Sequence, residues 1–222
     1  MVLVWQSLPV LLKGTLVTIE LTALGLSLGL VIALPLAFGQ VYGGRVARIF
    51  CSLYERVFRS IPLIVLLFLI FYGFPEIGIR FAPLTACVLG LGLRSAAYQS
   101  QIFRGAILSV GRGQTLAALS LGMKRLEVFV HIVLPQALRF SLAPWANEFT
   151  IVLKDSSLAY ALGVVELLRQ GSYIIATTYE PMAIFLTCAA IYLLLTLSAN
   201  KILHFLEKRL QIPGFETRGI SH

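Results

Sequence analysis

The apolar positions of this chain neither alternate nor keep to one face of short helices. They run in blocks long enough for a bilayer, which takes about 20 apolar residues per helix. Thr15 to Phe38 is such a block, 24 residues with one charge, Glu20, near its start. Ser60 to Pro75 is an uncharged run of 16, short for a span unless the flanking Arg56 and Arg59 reach towards the headgroups. Phe81 to Phe103 is interrupted only by Arg94, and Pro181 to Asn200 carries no charge. A fourth block, from about Phe140 to Ala161, contains Glu148, Lys154 and Asp155. The pattern predicts one all-α integral membrane domain over residues 1–222, with five transmembrane helices in chain order and termini on opposite sides.

Between Arg104 and Arg139 lie 34 residues of another kind. That is too long for a plain connector. Leu116, Ala117, Leu119, Ser120 and Leu121 read as a short helix ending at Gly122, the residue type that adopts a left-handed turn. Leu126, Phe129, Val130 and Val133 then recur at i, i+3, i+4 and i+7, which predicts an amphipathic helix until Pro135 breaks or redirects it. The expected element is a helix-turn-helix over about 105–138. Periodicity alone fits an interfacial anchor, with basic residues at headgroup level and leucines in the acyl boundary.

Composition agrees with a chain dissolved in lipid. Of the 222 residues 58% are hydrophobic and only 13% charged, against about 25% charged in a soluble domain. The net charge of +8 would point to nucleic acid in a soluble protein; here its distribution reports topology, and no nucleic-acid partner is expected. Thirteen Lys and Arg fall in one set of predicted loops and three, Lys13, Arg80 and Arg169, in the other, with Arg94 and Lys154 inside spans. Short cytoplasmic loops collect basic residues, so the amino terminus is expected outside and His222 in the cytoplasm. Met1 to Leu12 has no basic region and no distinct cleavage site, so a cleaved signal peptide is not expected. Cys51, Cys87 and Cys188 have neither zinc-type nor CxxC spacing and read as small core residues, with no metal site. No Gly-Lys dipeptide occurs, so a P-loop is excluded, and no GxSxG or HExxH motif offers catalysis.

The helix-turn-helix carries a further signal. Ala117-Ala118, Gly122 and Ile132-Val133-Leu134-Pro135 resemble the EAA loop of ABC importer permeases, with Leu116 standing where that family has Glu. Phe58-Arg59-Ser60-Ile61-Pro62-Leu63, Ala96-Ala97-Tyr98, Arg104-Gly105, Gly113-Gln114, Pro135-Gln136-Ala137 and Lys154-Asp155-Ser156-Ser157-Leu158 follow in the order found in polar amino-acid uptake permeases. Gln101 stands where relatives usually have Glu, and Gly111 where many have Pro. The similarity covers roughly Gly14 to Leu210.

It implies a type I ABC importer permease of the bacterial inner membrane, the membrane subunit of an ATP-driven amino-acid importer. Such a subunit works in pairs, with a second copy or a homologous permease. The implied partners are two ABC ATPase subunits on the cytoplasmic loops, a solute-binding protein outside and an amino-acid substrate. ATP would be held by the ATPase and no cofactor by this chain. Ala117, Ala118, Gly122, Leu134 and Pro135 are the implied coupling residues. A secondary carrier and a membrane scaffold are the rival readings; internal repeats, expected of the former, are not visible.

Charged groups at mid-depth are the candidate chemistry. Arg94 lies near the middle of the third span, where a cation costs roughly 2.5 to 3.5 kcal/mol and normally faces a cavity or a partner. It can bind a solute carboxylate or form a structural ion pair with Glu148, which counts to mid-depth on the fourth span after Asn147. Tyr98, one turn from Arg94, lines the pathway or packs. Lys154 and Asp155 lie further along, in a gate or packing role, and Ser156 and Ser157 are expected to bond the helix backbone. Gly25 and Gly29 predict close helix packing.

Overall fold

The computed structural model describes residues 2–210, all of its regular elements helical. The expectations for Arg218 and His222 fall outside the described residues. Helix α1 spans Val2–Tyr42, well beyond the predicted 15–38 at both ends. Helix α4, Pro83–Ser109, starts with its proline in the first turn, where a missing N–H leaves no bond unmade. The two run parallel. Gly25 faces Leu91, and Gly29 faces Ser95, Ala96 and Gln99. A Cβ on Gly29 would stand 2.7 Å from the Gln99 amide nitrogen, and one on Gly92 would stand 2.6 Å from Leu28 Cδ2. Close packing at the predicted glycine pair is therefore what brings α1 onto α4.

The second predicted span takes another form. Residues 45–59, read as a basic loop, and Ser60, read as the start of the second span, form helix α2, Arg45–Ser60, so Arg45, Arg48, Arg56 and Arg59 lie on a helix. Its Tyr54 hydroxyl donates to the Leu93 carbonyl of α4 at 2.9 Å. Pro62 disfavours helical backbone at Ile61, and both residues adopt extended ψ angles there. The chain bends by 102° into α3, Leu63–Phe68, continued by a π turn at Leu69–Gly73 and a 3-10 turn at Phe74–Ile77.

After α4 comes the expected helix-turn-helix. Helix α5 is Arg112–Ser120, and Gly122 takes φ +85°. Helix α6, Arg125–Val128, leads through a π turn at Phe129–Val133 into α7, Leu134–Asp155. Pro135 neither breaks nor redirects the helix. It sits in the first turn of α7, after a wider turn in which the Leu134 N–H reaches Phe129 O, five residues back. Ala118, Val128, Val133 and Ala137 bury together against Ala106 of α4 and Val110, the residue that follows it.

Helix α7 runs antiparallel to α4 and ends in a 3-10 turn at Ser156–Leu162, where Ser156 and Ser157 return hydroxyls to Leu153 O and Lys154 O as expected. Helix α8, Leu167–Thr178, has no counterpart among the predicted elements; α9 is Pro181–Leu210. By length and composition Leu3–Tyr42, Arg125–Leu162 and Pro181–Arg209 can each cross a membrane, and the bent 45–77 pair adds a fourth if it is one span. Helix α4 is not in that set, yet its 27 residues reach about 40 Å at 1.5 Å each.

Candidate functional site

The polar groups of α4 recur every three or four residues, at Arg94, Ser95, Tyr98, Gln99 and Gln101, and so divide between two faces. One face meets α7. Asp155, last residue of α7, accepts from the Arg94 guanidinium, with both side chains about three-quarters buried. Arg94 therefore pairs with Asp155 and not with Glu148, the partner expected from helix counting. Glu148, 4% exposed, accepts from Ser95 Oγ at 2.7 Å. Ser95 in turn accepts from Gln99, whose amide also donates to Leu26 O, both at 3.1 Å, while Trp145 Nε1 donates to the Gln99 carbonyl at 3.0 Å. This network gives Glu148, Ser95, Gln99 and Trp145 hydrogen-bond partners between α1, α4 and α7, the condition for burying such groups.

The other face meets α2. The Tyr98 ring is approached by two cations, the Arg94 guanidinium at 5.1 Å and the Arg59 guanidinium at 4.9 Å from its centroid. Arg59 pairs with Glu55 one turn back at 2.6 Å, and Glu55 also accepts from Gln101 at 2.6 Å. Gln101 donates to Gln40 of α1 at 2.8 Å and accepts from Arg104 at 3.1 Å. A polar seam thus runs from Asp155 through Arg94, Tyr98, Arg59 and Glu55 to the end of α4 that precedes the helix-turn-helix.

Of the expected solute-contacting residues, the structure brings Arg94 and Tyr98 together. Glu148 lies one side chain away, hydrogen-bonded to the residue after Arg94. Asn147 is exposed on α7, beside Glu148 in sequence, and Lys154 is exposed beside Asp155. Of the expected coupling residues Ala118 is buried, Leu134 is half-buried, and Ala117, Gly122 and Pro135 are exposed. Arg59, Glu55 and Gln99 were not anticipated. Arg59 and Glu55 fell in a stretch read as loop, although their i, i+4 spacing is a helical signal; Gln99 is one turn from Ser95 on a helix already recognised.

A second unanticipated carboxylate, Glu166, is fully buried. It caps α8, accepting from the Leu168 and Arg169 backbone N–H groups at 2.8 Å each and from Tyr192 Oη at 3.0 Å. Thr18 of α1 accepts from the adjacent Leu167 N–H at 3.3 Å. Glu166 is thus a structural tie between α1, α8 and α9.

Comparison with known proteins gives this architecture its context. Residues 25–212 match the family model described as binding-protein-dependent transport system inner membrane component. The chain is 37% identical over 211 residues to the glutamine transport system permease protein GlnP of Escherichia coli K12, covering 94% of this chain and 96% of that one. It is 36% identical over 210 residues to the L-cystine transport system permease protein TcyB of Bacillus subtilis, covering 94% and 90% respectively. Among solved structures it superposes on a chain of an amino acid ABC transporter with histidines at TM-score 0.87 and 33% identity, covering 92% and 95%. The MetNI methionine ABC transporter shares the fold at TM-score 0.78 and 20% identity, covering 91% of this chain and 97% of that one. The chain belongs to the family of inner membrane components of binding-protein-dependent transport systems, the permease subunits of type I ABC importers.

Proposed function

We propose that this chain forms half of an amino-acid pathway across the bacterial inner membrane and moves solute inward at the expense of ATP hydrolysed on a separate ATPase. Relatives named for glutamine and L-cystine transport support the amino-acid class. The observation that carries the reading is Arg94 paired to Asp155 between α4 and α7. A zwitterion offers both members of that pair a replacement partner, its carboxylate to the guanidinium and its ammonium to the carboxylate. Exchange of one pairing for another keeps the net binding energy small, which allows release. Tyr98 shapes the site beside Arg94, Glu148 and Asn147 flank it on α7, and Lys154 and Asp155 also serve as the gate that opens when the pair separates.

In this reading five spans cross the membrane, with the bent α2–α3 pair and α4 among them, the amino terminus outside and the helix-turn-helix in the cytoplasm. There Ala117, Ala118, Gly122, Leu134 and Pro135 form the coupling element for the ATPase. A second copy or a homologous permease completes the pathway, and an extracytoplasmic binding protein delivers the amino acid. A secondary carrier or scaffold is not favoured, because the family is one of binding-protein-dependent systems. Complexes purified by a tag on this chain should contain an ABC ATPase, and in proteoliposomes should accumulate a labelled amino acid only with ATP and binding protein. Accumulation without an ATPase would refute the reading.

A further inference from the structure

At the end of the fold that carries α5 and α6, two cavities lie side by side. The inner one, about 340 Å³, lies between α1, α4 and α7 and is lined only by apolar residues, among them Leu34, Phe38, Phe103, Phe129 and Leu138. The outer one, about 500 Å³, shares Phe38 and Phe129 with it and adds Tyr42, Thr115 and Arg125 at its mouth. The rings of Phe38, Tyr42 and Phe129 stand 5.0 to 5.7 Å apart and form the wall common to both. Neither cavity is lined by any residue of the Arg94 and Asp155 site.

The groove is graded from wholly apolar to cationic. The side chains of Arg125, Tyr42 and Thr115 form no hydrogen bond or ion pair with other described residues. Glu127, the nearest acid in sequence, is engaged with the Lys124 backbone N–H at 2.8 Å. One guanidinium and two hydroxyls at a single mouth are the donor set for a phosphate, which a guanidinium can hold with two parallel hydrogen bonds. The apolar end is bounded by α1 and by the Arg125–Leu162 run, both long and apolar enough to cross a membrane, so hydrocarbon is the medium at its rim. A tyrosine at the end of an apolar helix marks the headgroup level. A helix, about 10 Å or more across with its side chains, is too wide for the inner cavity; an acyl chain is not.

We propose that this groove holds one anionic phospholipid, an acyl chain in the inner cavity and the phosphodiester against Arg125, Tyr42 and Thr115. Basic pockets between membrane helices bind such headgroups. The lipid joins α1 to the start of the helix-turn-helix, so the lipid composition of that leaflet acts on the element proposed to couple the spans to the ATPase. The proposal rests on the chain spanning a bilayer and is independent of which solute is carried.

The test is native mass spectrometry of the transporter complex extracted in mild detergent and offered phosphatidylglycerol or phosphatidylcholine. One phosphatidylglycerol per permease chain should be retained and phosphatidylcholine should be lost. Arg125→Gln should lower phosphatidylglycerol retention about fivefold, the scale of one basic residue at a membrane surface. Arg112→Gln, exposed on α5 outside the groove, should leave it unchanged. Leu138→Trp, at the half-exposed rim of the inner cavity, should also lower phosphatidylglycerol retention. Equal retention by all variants overturns the proposal. So does efficient cross-linking of a Leu138→Cys chain to the ATPase or to a second permease in native membranes, because protein would then fill the inner cavity.

Discussion

Arg94 and Asp155, 61 residues apart, meet where α4 passes the end of α7, and each is the other's ionic partner. Removing either charge leaves the other in a site only about a quarter exposed, and a hydrogen bond to a charged group contributes roughly 1.5 to 3 kcal/mol. Asp155→Asn and Arg94→Lys should each reduce uptake roughly tenfold or more, the second because an ammonium loses the planar fork. The reversed pair, Arg94→Asp with Asp155→Arg, should restore folding without restoring transport. Normal uptake by the reversed pair, measured in proteoliposomes, would reduce the ion pair to a structural brace.

Glu148 behaves differently because its partner is neutral. The Ser95 hydroxyl donates to it, and a glutamine carbonyl can accept the same bond. Glu148→Gln should therefore fold and assemble normally, whereas Ser95→Ala removes that donor from a buried acid and should cost about 1 to 3 kcal/mol. Thermal unfolding of the two purified variants should show Ser95→Ala melting lower. The reverse order would mean that the carboxylate charge itself holds the helices.

Gly122 tests the coupling element. Its φ is +85°, and a Cβ there would meet nothing within 4 Å, so a substitution is penalised by backbone conformation alone. Gly122→Val should cost about 1 to 3 kcal/mol in the turn and weaken ATPase copurification together with uptake. Gly122→Asn should be milder, since asparagine tolerates the left-handed region. Equal copurification of all three forms would remove the turn from the docking surface.

The Glu166 cap gives a purely structural prediction. Glu166→Ala strips the acceptors from two backbone N–H groups and from Tyr192, and should lower the melting temperature more than Tyr192→Phe, which removes one bond. Gly14→Ala should also destabilise, because its Cβ would stand 2.9 Å from the Glu166 backbone, which cannot move without dislodging α8. A wild-type melting curve for Gly14→Ala would show that α1 and α8 are not locked together.

How much could be read from the chain depended on whether a signal was local. The long helices and the left-handed turn at Gly122 follow from apolar length and one residue type, and both were legible. Helix α2 was legible too but was passed over: Val46, Ile49, Phe50 and Leu53 recur at i, i+3, i+4 and i+7, an amphipathic pattern, while the arginines between them were read as a loop. The bend at Ile61 and Pro62 divides a run whose composition is continuous. Pro135 misled because the π turn that accommodates it leaves no mark in composition. The partner of Arg94 was missed because depth along a helix fixes level but not azimuth: Glu148 and Asp155 are two turns apart on α7 and approach neighbouring residues of α4. The helix-turn-helix was legible from Gly122 and the i, i+3, i+4, i+7 pattern, while side-chain pairing required the packed helices.

The central claim is that this chain supplies the pathway of an ATP-driven amino-acid importer and that Arg94 with Asp155 reads the solute within it. The most direct measurement is ATP-dependent accumulation of a labelled amino acid by the reconstituted complex, comparing wild type with Asp155→Asn at matched assembly and matched ATPase content. The account predicts robust ATP-dependent accumulation by wild type and its collapse in the variant while ATP hydrolysis persists. Undiminished accumulation by Asp155→Asn, or accumulation by wild type that does not require ATP, would contradict it.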